Sequence, residues 1–269
     1  MAQPILSIIT VTYNPSLEKI KKTIASVQVQ TMRHQIEHIL IDGQSHDGTV
    51  EALKKKELVV DFWLSEADSG IYEAMNKGVK FAKGNWILFL NAGDVLADKL
   101  LVEKLAPYLG AESYDVIYGD CIVDYGFYSF YEKALPQPRL SWGMIASHQS
   151  FIVKRDLLVK YPFNFKYKVC ADYDFICKIR TESRFKRIGL AFAKVEAEGF
   201  SSKRHSLNIR EKKAIALRYY PNVYFLNYYY LLKYYYFVII CKVEKLLPLS
   251  ILFLLRRLKY AFKNKSKHF

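Results

Sequence analysis

Strand-like and helix-like segments alternate through the first half of this chain, and that alternation is the feature that most constrains its fold. The strand-like segments are ILSIITVTY, IEHILIDG, LVVDFWLS and NWILFLN. The helix-like segments between them are SLEKIKKTIASVQVQ, DGTVEALKKK and IYEAMNKGVKFAKG, with Ser16 and Asp47 as the expected N-caps of the first two. Because crossovers between parallel strands are usually helices, the alternation predicts a mostly parallel α/β sheet with helices on both faces.

Each of the four strand-like segments is followed by polar or small residues. These runs are Thr12-Tyr13-Asn14, Asp42-Gly43, Glu66 to Gly70, and Asn91 to Asp94. Any single run could be a turn or a helix cap, since Asp and Gly are common turn residues. The carboxyl ends of parallel strands, however, meet at one edge of a sheet, where open α/β folds bind ligands. Four such runs together therefore predict a ligand site.

The second half of the chain follows a looser pattern. DVIYGDCIVDYG and FYSFYEKAL alternate as antiparallel or edge strands do, and SHQSFIVKRDLL predicts a strand followed by a helix. ADYDFICKIRTES predicts a helix with acids in its first turn, where the helix dipole favours them. The four cysteines are scattered with no C-x-x-C pair, which favours reduced, buried thiols over a disulfide framework or a zinc site. With no secretory signal at the start, we expect a cytosolic compartment.

The C-terminal segment carries nearly all of the net charge of +14 and many of the aromatic residues. From Lys203 to Phe269 there are 15 Lys or Arg but two acids, and ten of the 21 Tyr lie between Tyr219 and Tyr260. No window gives about 20 consecutive apolar residues, so the segment predicts interfacial helices on an anionic membrane. The alternatives are helices packed on the body of the protein or an oligomer surface. Nucleic acid binding is not favoured, because the aromatics cluster with Leu, Ile and Phe and no nucleic-acid motif is present.

Several motifs together resemble glycosyltransferase family 2. They are SIITVTYN, ILIDGQSHDGT, SEADSGIYEAMNKGVKFAKGNWILFLNAGD, HQSFIVKRDLL and ADYDF, in order over about residues 4–202. The resemblance implies an inverting enzyme of GT-A fold that uses nucleotide-diphospho-sugars, with a Rossmann-like, mostly parallel mixed sheet flanked by helices. The pieces D-x-G-I-Y-x-A-M-N-K-G and N-A-G-D are similar to those of bacterial members that build O-antigen, capsule and exopolysaccharide.

The resemblance also implies which residues contact the donor. Asp42 would accept a hydrogen bond from uracil or ribose, and Asn91 would offer its carbonyl oxygen to ribose or metal. For Lys77 an ordinary solvated helix lysine is the alternative. The residues implied to line the nucleotide-sugar site are Thr12, Tyr13, Asn14, Asp42, Asp68, Gly70, Asn76, Lys77, Asn91 and Ala92.

The same resemblance gives Asp94 a metal role. Mn²⁺ or Mg²⁺ would neutralise the diphosphate leaving group, and hard cations bind carboxylate and phosphate oxygens. Asn91 and Gly93 stand where the family commonly has further acids, so we expect one negative charge here and a loosely held metal bound together with the donor. His205 is a candidate later ligand, although a lone His is more often a surface or structural residue.

The base of the reaction is implied to be Asp172 in CADYDF, which would take the proton of the acceptor hydroxyl. Ala171 stands where the family usually has Glu. His148 and Gln149 would line the acceptor side, and Lys203 and Arg204 would meet the diphosphate, with a solvated loop as the alternative.

These inferences divide the chain into a catalytic domain, residues 1–206, and a C-terminal amphipathic helical membrane-association region, residues 207–269. Within the catalytic domain, residues 1–98 would bind the nucleotide-sugar and residues 99–206 the acceptor. We expect a metal-dependent hexosyl- or N-acetylhexosaminyltransferase that moves sugar from a UDP donor to a saccharide linked to undecaprenyl diphosphate. It would lie peripherally on the cytoplasmic face of the bacterial inner membrane, with a homo-oligomer left open.

Two other classes remain as alternatives. One is a non-catalytic nucleotide-sugar-binding or scaffold protein of a polysaccharide assembly complex, which the thinned metal motif and the missing Glu would suit. The other is a nucleotidyltransferase, but VTYNPSLEK lacks the glycine-rich phosphate loop expected of that class.

Overall fold

The computed structural model describes residues 3–197 and 204–244, with side chains up to residue 239. The strands are β1 (Leu6–Thr12), β2 (Ile36–Asp42), β3 (Phe62–Ser65), β4 (Trp86–Phe89), β5 (Val95–Leu96), β6 (Val116–Asp124), β7 (Ser129–Glu132), β8 (Phe151–Lys154) and β9 (Phe185–Glu196). The helices are α1 (Leu17–Gln28), α2 (Thr49–Lys54), α3 (Ile71–Phe81), α4 (Leu101–Leu109), α5 (Arg155–Lys160), α6 (Ala171–Ile179), α7 (His205–Tyr219) and α8 (Leu226–Glu244).

All nine strands form one mixed sheet in the order β3-β2-β1-β4-β8-β6-β9-β5, with β7 paired to β6. β3, β2, β1 and β4 run parallel, as the strand and helix alternation predicts. β8 is antiparallel to both β4 and β6, and β9 runs parallel to β6 and antiparallel to β5. β7 is antiparallel to β6, which confirms the prediction of antiparallel or edge strands for these two segments.

Helices cover both faces of the parallel part of the sheet. On one face, α3 packs against β1 and β2, and a Cβ added at Gly78 would lie 2.5 Å from Ile9 Cγ2. Glycine is therefore required for this close approach of helix and strand. On the other face, Ile20 of α1 and Leu53 of α2 pack in one cluster with Leu40 of β2.

The centre of the sheet contains a buried polar pair. Thr10 Oγ1 of β1 lies 2.9 Å from His38 Nε2 of β2, and both side chains are fully buried. Burial lowers the pKa of His38 to about 3, so the imidazole is neutral in the folded protein.

The caps of the first two helices differ from expectation. Ser16 stands at the N-cap position of α1 but makes no capping bond, and Gly48, not Asp47, occupies that position in α2. Asp47 instead accepts hydrogen bonds from the backbone N–H of Ser16 at 3.0 Å and of Thr49 at 3.2 Å. One carboxylate therefore serves the starts of both helices, which also lowers its pKa.

The C-terminal helices pack on the rest of the protein. Ile215 of α7 belongs to the same buried cluster as Ile176 of α6. α8 packs on α7, and Tyr229 of α8 makes an edge contact with Trp142, with ring centroids 4.8 Å apart. The division of the chain near residue 206 stays a prediction, but α7 is in direct contact with α6, which precedes that boundary. In the part of the chain that the structure describes, no helix is both long and apolar enough to cross a membrane.

Candidate active site

A cavity of about 1490 Å³ opens where the first strands of the sheet end. It is where the sequence placed a ligand site, and it brings together predicted residues from both halves of the chain. Those that line it are Thr12, Tyr13, Asn14, Asn91, Ala92, Asp94, His148, Gln149 and Asp172.

Two buried polar atoms of the lining have no hydrogen-bond partner among the residues that the structure describes. They are Oγ1 of Thr12, the last residue of β1, and Oδ1 of Asn91, just after β4. Buried hydroxyls and amides are normally hydrogen-bonded, so such atoms at a cavity wall indicate that a ligand supplies the partner. Tyr13, at the same edge, is 66% exposed and offers a ring face to a bound molecule.

The predicted uracil contact, Asp42, is engaged inside the protein. The residue is fully buried, and its carboxylate accepts bonds from Ser45 and from the Ser65 hydroxyl at 2.7 Å. Asp68 is more open and reaches over Gly43, where an added Cβ would lie 2.7 Å from its Oδ2. Partial burial raises the pKa of Asp68. Asp42 therefore fixes the loops that carry this corner, and its base contact stays a prediction.

Asn76 and Lys77 of α3 are engaged within the protein, and their contact with the nucleotide stays a prediction. The Asn76 side chain exchanges two hydrogen bonds with the backbone of Phe163, at 3.0 and 2.9 Å, so both halves of its amide are occupied. Lys77 Nζ bonds Ala67 O at 2.8 Å and pairs with Glu66 at 2.9 Å. Neither side chain lines the cavity, so both stabilise the surrounding loops. Gly70 precedes α3 at a φ of 136°, which glycine readily adopts.

Asp94, the candidate metal ligand, is held by two donors. Its Oδ2 accepts a bond from Gln149 Nε2 at 2.6 Å, and its Oδ1 accepts one from the backbone N–H of Glu196 at 3.2 Å. Gln149, predicted to face the acceptor, thus orients the carboxylate of the donor corner. Asp94 is 7% exposed, and burial raises its pKa to about 6.

A second carboxylate lies beside Asp94, which corrects the expectation of a single charge. A Cβ added at Gly93 would lie 3.3 Å from Glu196 Oε1, and Gly93 has a φ of 101°. Glu196 also pairs with Lys19 of α1 at 2.5 Å. This corner therefore carries two acids and one lysine.

Asn91 and Asp94 fit a divalent cation, because a buried carboxylate and an unpartnered carbonyl oxygen are ligands of the kind that Mg²⁺ and Mn²⁺ bind. Within residues 3–197 and 204–244, no group of three or more His, Cys, Asp or Glu is arranged as a metal site. His205 stacks on Phe237 of α8, with centroids 5.0 Å apart, and does not line the cavity. Arg204 is exposed and does not line it either, and Lys203 lies outside the described residues.

Asp172 lies in the first turn of α6 and lines the cavity. Hydrogen bonds fix one of its carboxylate oxygens, and the other lies near His148. Its Oδ1 accepts bonds from the Tyr72 hydroxyl at 3.1 Å and from the Tyr173 backbone N–H at 2.8 Å. Its Oδ2 lies 3.8 Å from His148 Nδ1, beyond hydrogen-bond distance. Such an oxygen can accept a proton from a ligand hydroxyl, so Asp172 suits a general base.

His148 lies between Asn91, which follows β4, and Asp172 of α6. Asn91 Nδ2 donates to His148 Nε2 at 3.0 Å, which leaves the ring proton on Nδ1, toward Asp172. Burial lowers the pKa of His148, while the nearby Asp172 opposes this. A neutral imidazole therefore connects the end of β4 with the start of α6.

Glu211 of α7 holds the loop that precedes Asp172. Its carboxylate accepts three backbone N–H bonds, from Lys168 at 2.8 Å, Val169 at 2.9 Å and Cys170 at 3.0 Å. The sequence analysis missed Glu211, Tyr72 and Glu196. The short GIY motif contains Tyr72, but nothing in the local sequence distinguishes Glu211 or Glu196 from the other acids of the chain.

Comparisons with known proteins agree with this geometry. The family model described as "Glycosyl transferase family 2" matches residues 7–174. A "PGL/p-HBAD biosynthesis glycosyltransferase" of Mycobacterium bovis (strain BCG / Pasteur 1173P2) is 32% identical over 183 residues, which are 65% of this chain and 69% of the relative.

Two solved structures show the same fold. S. aureus TarS 1-349 in complex with UDP-GlcNAc has a TM-score of 0.62 at 18% identity, covering 79% of this chain and 66% of that chain. Glucosyl-3-phosphoglycerate synthase from Mycobacterium tuberculosis, in complex with Mn²⁺, UDP and glucosyl-3-phosphoglycerate, has a TM-score of 0.56 at 13% identity, covering 81% and 80%. The α/β, GT-A-like fold implied by the motifs is therefore confirmed.

Proposed function

This chain belongs to glycosyl transferase family 2, and we propose that it transfers a sugar from a UDP-sugar, with inversion, to a lipid-linked saccharide. The observation that carries the proposal is the cavity in which Asp172 faces Asn91 and Asp94 across His148. An in-line displacement requires the base on one side of the anomeric carbon and the departing diphosphate on the other, and this cavity is lined by residues suited to both tasks. The lipid-linked acceptor, such as an undecaprenyl-diphosphate sugar in O-antigen or capsule synthesis, goes beyond the family.

Asp172 is the base of this mechanism. Its Oδ1 is fixed by Tyr72 and the Tyr173 backbone, so Oδ2 keeps one direction and accepts the proton of the acceptor hydroxyl. The freed oxygen attacks the anomeric carbon from the face opposite the diphosphate, which inverts the configuration. Burial raises the pKa of Tyr72 well above its ordinary value, so the phenol stays a donor.

The donor would bind at the ends of β1 and β4. Thr12 Oγ1 and Asn91 Oδ1 would gain the partners that they lack, and Tyr13 would cover the base. Asp94 and Asn91 would hold Mn²⁺ or Mg²⁺, which would neutralise the charge on the departing diphosphate. UDP-GlcNAc bound to TarS and UDP with Mn²⁺ bound to glucosyl-3-phosphoglycerate synthase support this choice of donor and metal.

The protein would act at the cytoplasmic face of the bacterial inner membrane. α8 exposes aromatic and aliphatic side chains, including Tyr228 at 62%, Leu232 at 53% and Tyr235 at 57% exposure. These three lie at spacings of four and three residues and so share one helix face. Interfacial helices combine such a face with basic residues, and the C-terminal sequence is strongly basic.

A transfer assay tests the proposed reaction. The purified protein would be incubated with Mn²⁺, a panel of UDP-sugars and a synthetic GlcNAc-diphospho-lipid. We expect transfer by the wild type and by Asp156→Asn, which removes an exposed carboxylate of α5, and its loss in Asp172→Asn and Asp94→Ala. UDP binding without transfer from any donor would favour the non-catalytic scaffold, and full turnover by Asp172→Asn would contradict the assignment of the base.

A liposome flotation assay tests the membrane proposal. We expect the triple variant Tyr228→Ser, Leu232→Ser and Tyr235→Ser to float less with anionic vesicles than the wild type. Phe127→Ser is the matched control, because Phe127 is 94% exposed and lies outside α8. Equal flotation of the triple variant and the wild type would rule out α8 as the membrane-binding surface.

A further inference from the structure

The C-terminal helices form one wall of the active-site cavity. Lys212 of α7 and Lys233 of α8 both line it, together with Tyr229 of α8 and Trp142. Lys233 Nζ donates to the Tyr229 hydroxyl at 3.4 Å and lies 5.4 Å from the centre of the Tyr229 ring. Two lysines from different helices therefore face the space in which Asp172 lies.

Lys212 is half-buried at this wall. In the described part of the chain it makes no ion pair within 4.0 Å. Burial lowers the pKa of Lys212; Cys170 and Asp172 oppose this, and the like charge of Lys233 adds to it. Two like charges at one cavity wall repel each other, so the site is arranged for a negatively charged ligand that both could bind.

Lys212 and Lys233 line the same cavity as Asp172 and belong to α7 and α8, whereas Asp94 lies between β4 and β5. Contacts run from Asn91 to His148 and from His148 to Asp172, and Lys212 interacts electrostatically with Asp172. A group bound at Lys212 would therefore lie near the base. The donor's diphosphate, in contrast, would lie with Asp94 at the end of β4.

We propose that Lys212 and Lys233 bind a phosphate group carried by the acceptor, and that they thereby place the acceptor hydroxyl at Asp172. This inference rests on the proposed transferase function and names the chemistry of its acceptor. Lysine binds phosphate as a compact point charge, and two of them suit a phosphomonoester or diphosphate. Tyr229 and Trp142 at the same wall would contact the apolar part next to that phosphate.

A binding titration separates this site from the donor site. Geranyl monophosphate would be titrated into the protein by calorimetry, with Mg²⁺ and saturating UDP present so that the donor site is filled. Geraniol, which lacks the phosphate, is the ligand control. The matched protein control is Lys213→Gln, because Lys213 neighbours Lys212 on α7 but does not line the cavity.

We expect the wild type and Lys213→Gln to bind geranyl monophosphate equally in the presence of UDP. Lys212→Gln and Lys233→Gln should each weaken binding at least tenfold, and Lys212→Arg, which keeps the charge, should bind within threefold of the wild type. Thermal melts of each variant would show that it is folded. The lysines are expected to contact only the phosphate, so the affinity for geraniol should be the same in all variants.

Two results would overturn the proposal. One is unchanged affinity in both glutamine variants, and the other is displacement of geranyl monophosphate by UDP, which would assign the phosphate site to the donor. The titration needs no turnover. A Lys212-dependent phosphate site in a protein that transfers no sugar would therefore reject the transferase function and keep the binding site.

Discussion

Replacing Asp94 by Asn should make the metal-free protein more stable relative to the wild type at high pH than at low pH. Burial raises the pKa of Asp94 from 3.8 to about 6. The folded state therefore binds this proton more tightly than the unfolded state, and folding stability falls as the pH rises from about 4 to about 6. A shift of about 2 units corresponds to roughly 3 kcal/mol. Asn carries no charge, so Asp94→Asn avoids this loss.

Urea unfolding in EDTA at pH 4.5, 6 and 8 measures the effect. The free energy of unfolding of Asp94→Asn minus that of the wild type should increase by about 2 kcal/mol or more between pH 4.5 and pH 8. Comparing each pH within this pair cancels every other titrating group. Asp156→Asn, an exposed acid of α5, controls for the removal of one carboxylate.

The second arm adds Mn²⁺ and UDP at pH 8. A cation at Asp94 compensates the buried charge, so the wild type should gain stability and Asp94→Asn should gain much less. A stability difference that stays constant from pH 4.5 to pH 8 would refute the reasoning about burial. Equal stabilisation of both proteins by Mn²⁺ and UDP would refute the metal role.

Three further outcomes are expected. Asp172→Asn should lower the transfer rate by at least about 100-fold and leave the affinity for UDP unchanged, measured by kinetics and calorimetry; weaker UDP binding would contradict a purely basic role. Glu211→Gln should lose at least one of the three backbone hydrogen bonds to the Glu211 carboxylate. The free energy of unfolding in urea should therefore fall by roughly 1.5–3 kcal/mol, whereas the exposed Glu57→Gln should change it by less than about 0.5 kcal/mol. Because burial lowers the pKa of His38 to about 3, the wild type should lose about 2 kcal/mol between pH 6.5 and 5 that His38→Gln keeps; parallel curves would refute this.

Local patterns predicted the parallel part of the fold. The order of strands and helices up to β4 follows from periodicity, and the polar strand ends placed Thr12, Asn91 and Asp94 at one edge. Asp172 followed from the family motif and faces the same cavity. These features depend on neighbours within a few residues or on one general rule about sheets.

Pairings between distant segments could not be predicted in this way. β9 pairs with β5 so that Val95 lies opposite Lys194, and this register brings Glu196 beside Gly93. No local pattern contains that register. The hydrogen-bond partner of Asn76 is also distant in sequence, since Phe163 is 87 positions away. The local motif therefore does not reveal that the Asn76 side chain is engaged within the protein.

Helical phase ties two tasks together in α7. Glu211 points to the loop before Asp172, while Lys212, the next residue, lines the cavity. Successive residues of an α-helix are rotated by about 100°, so one insertion ahead of this pair would turn both side chains away together. A change in the length of chain between β9 and α7 would not have this effect, whereas an insertion or deletion within α7 ahead of Glu211 would. Changes in the sequence of α7 are therefore constrained by the rotation of each residue about the helix axis as well as by residue type.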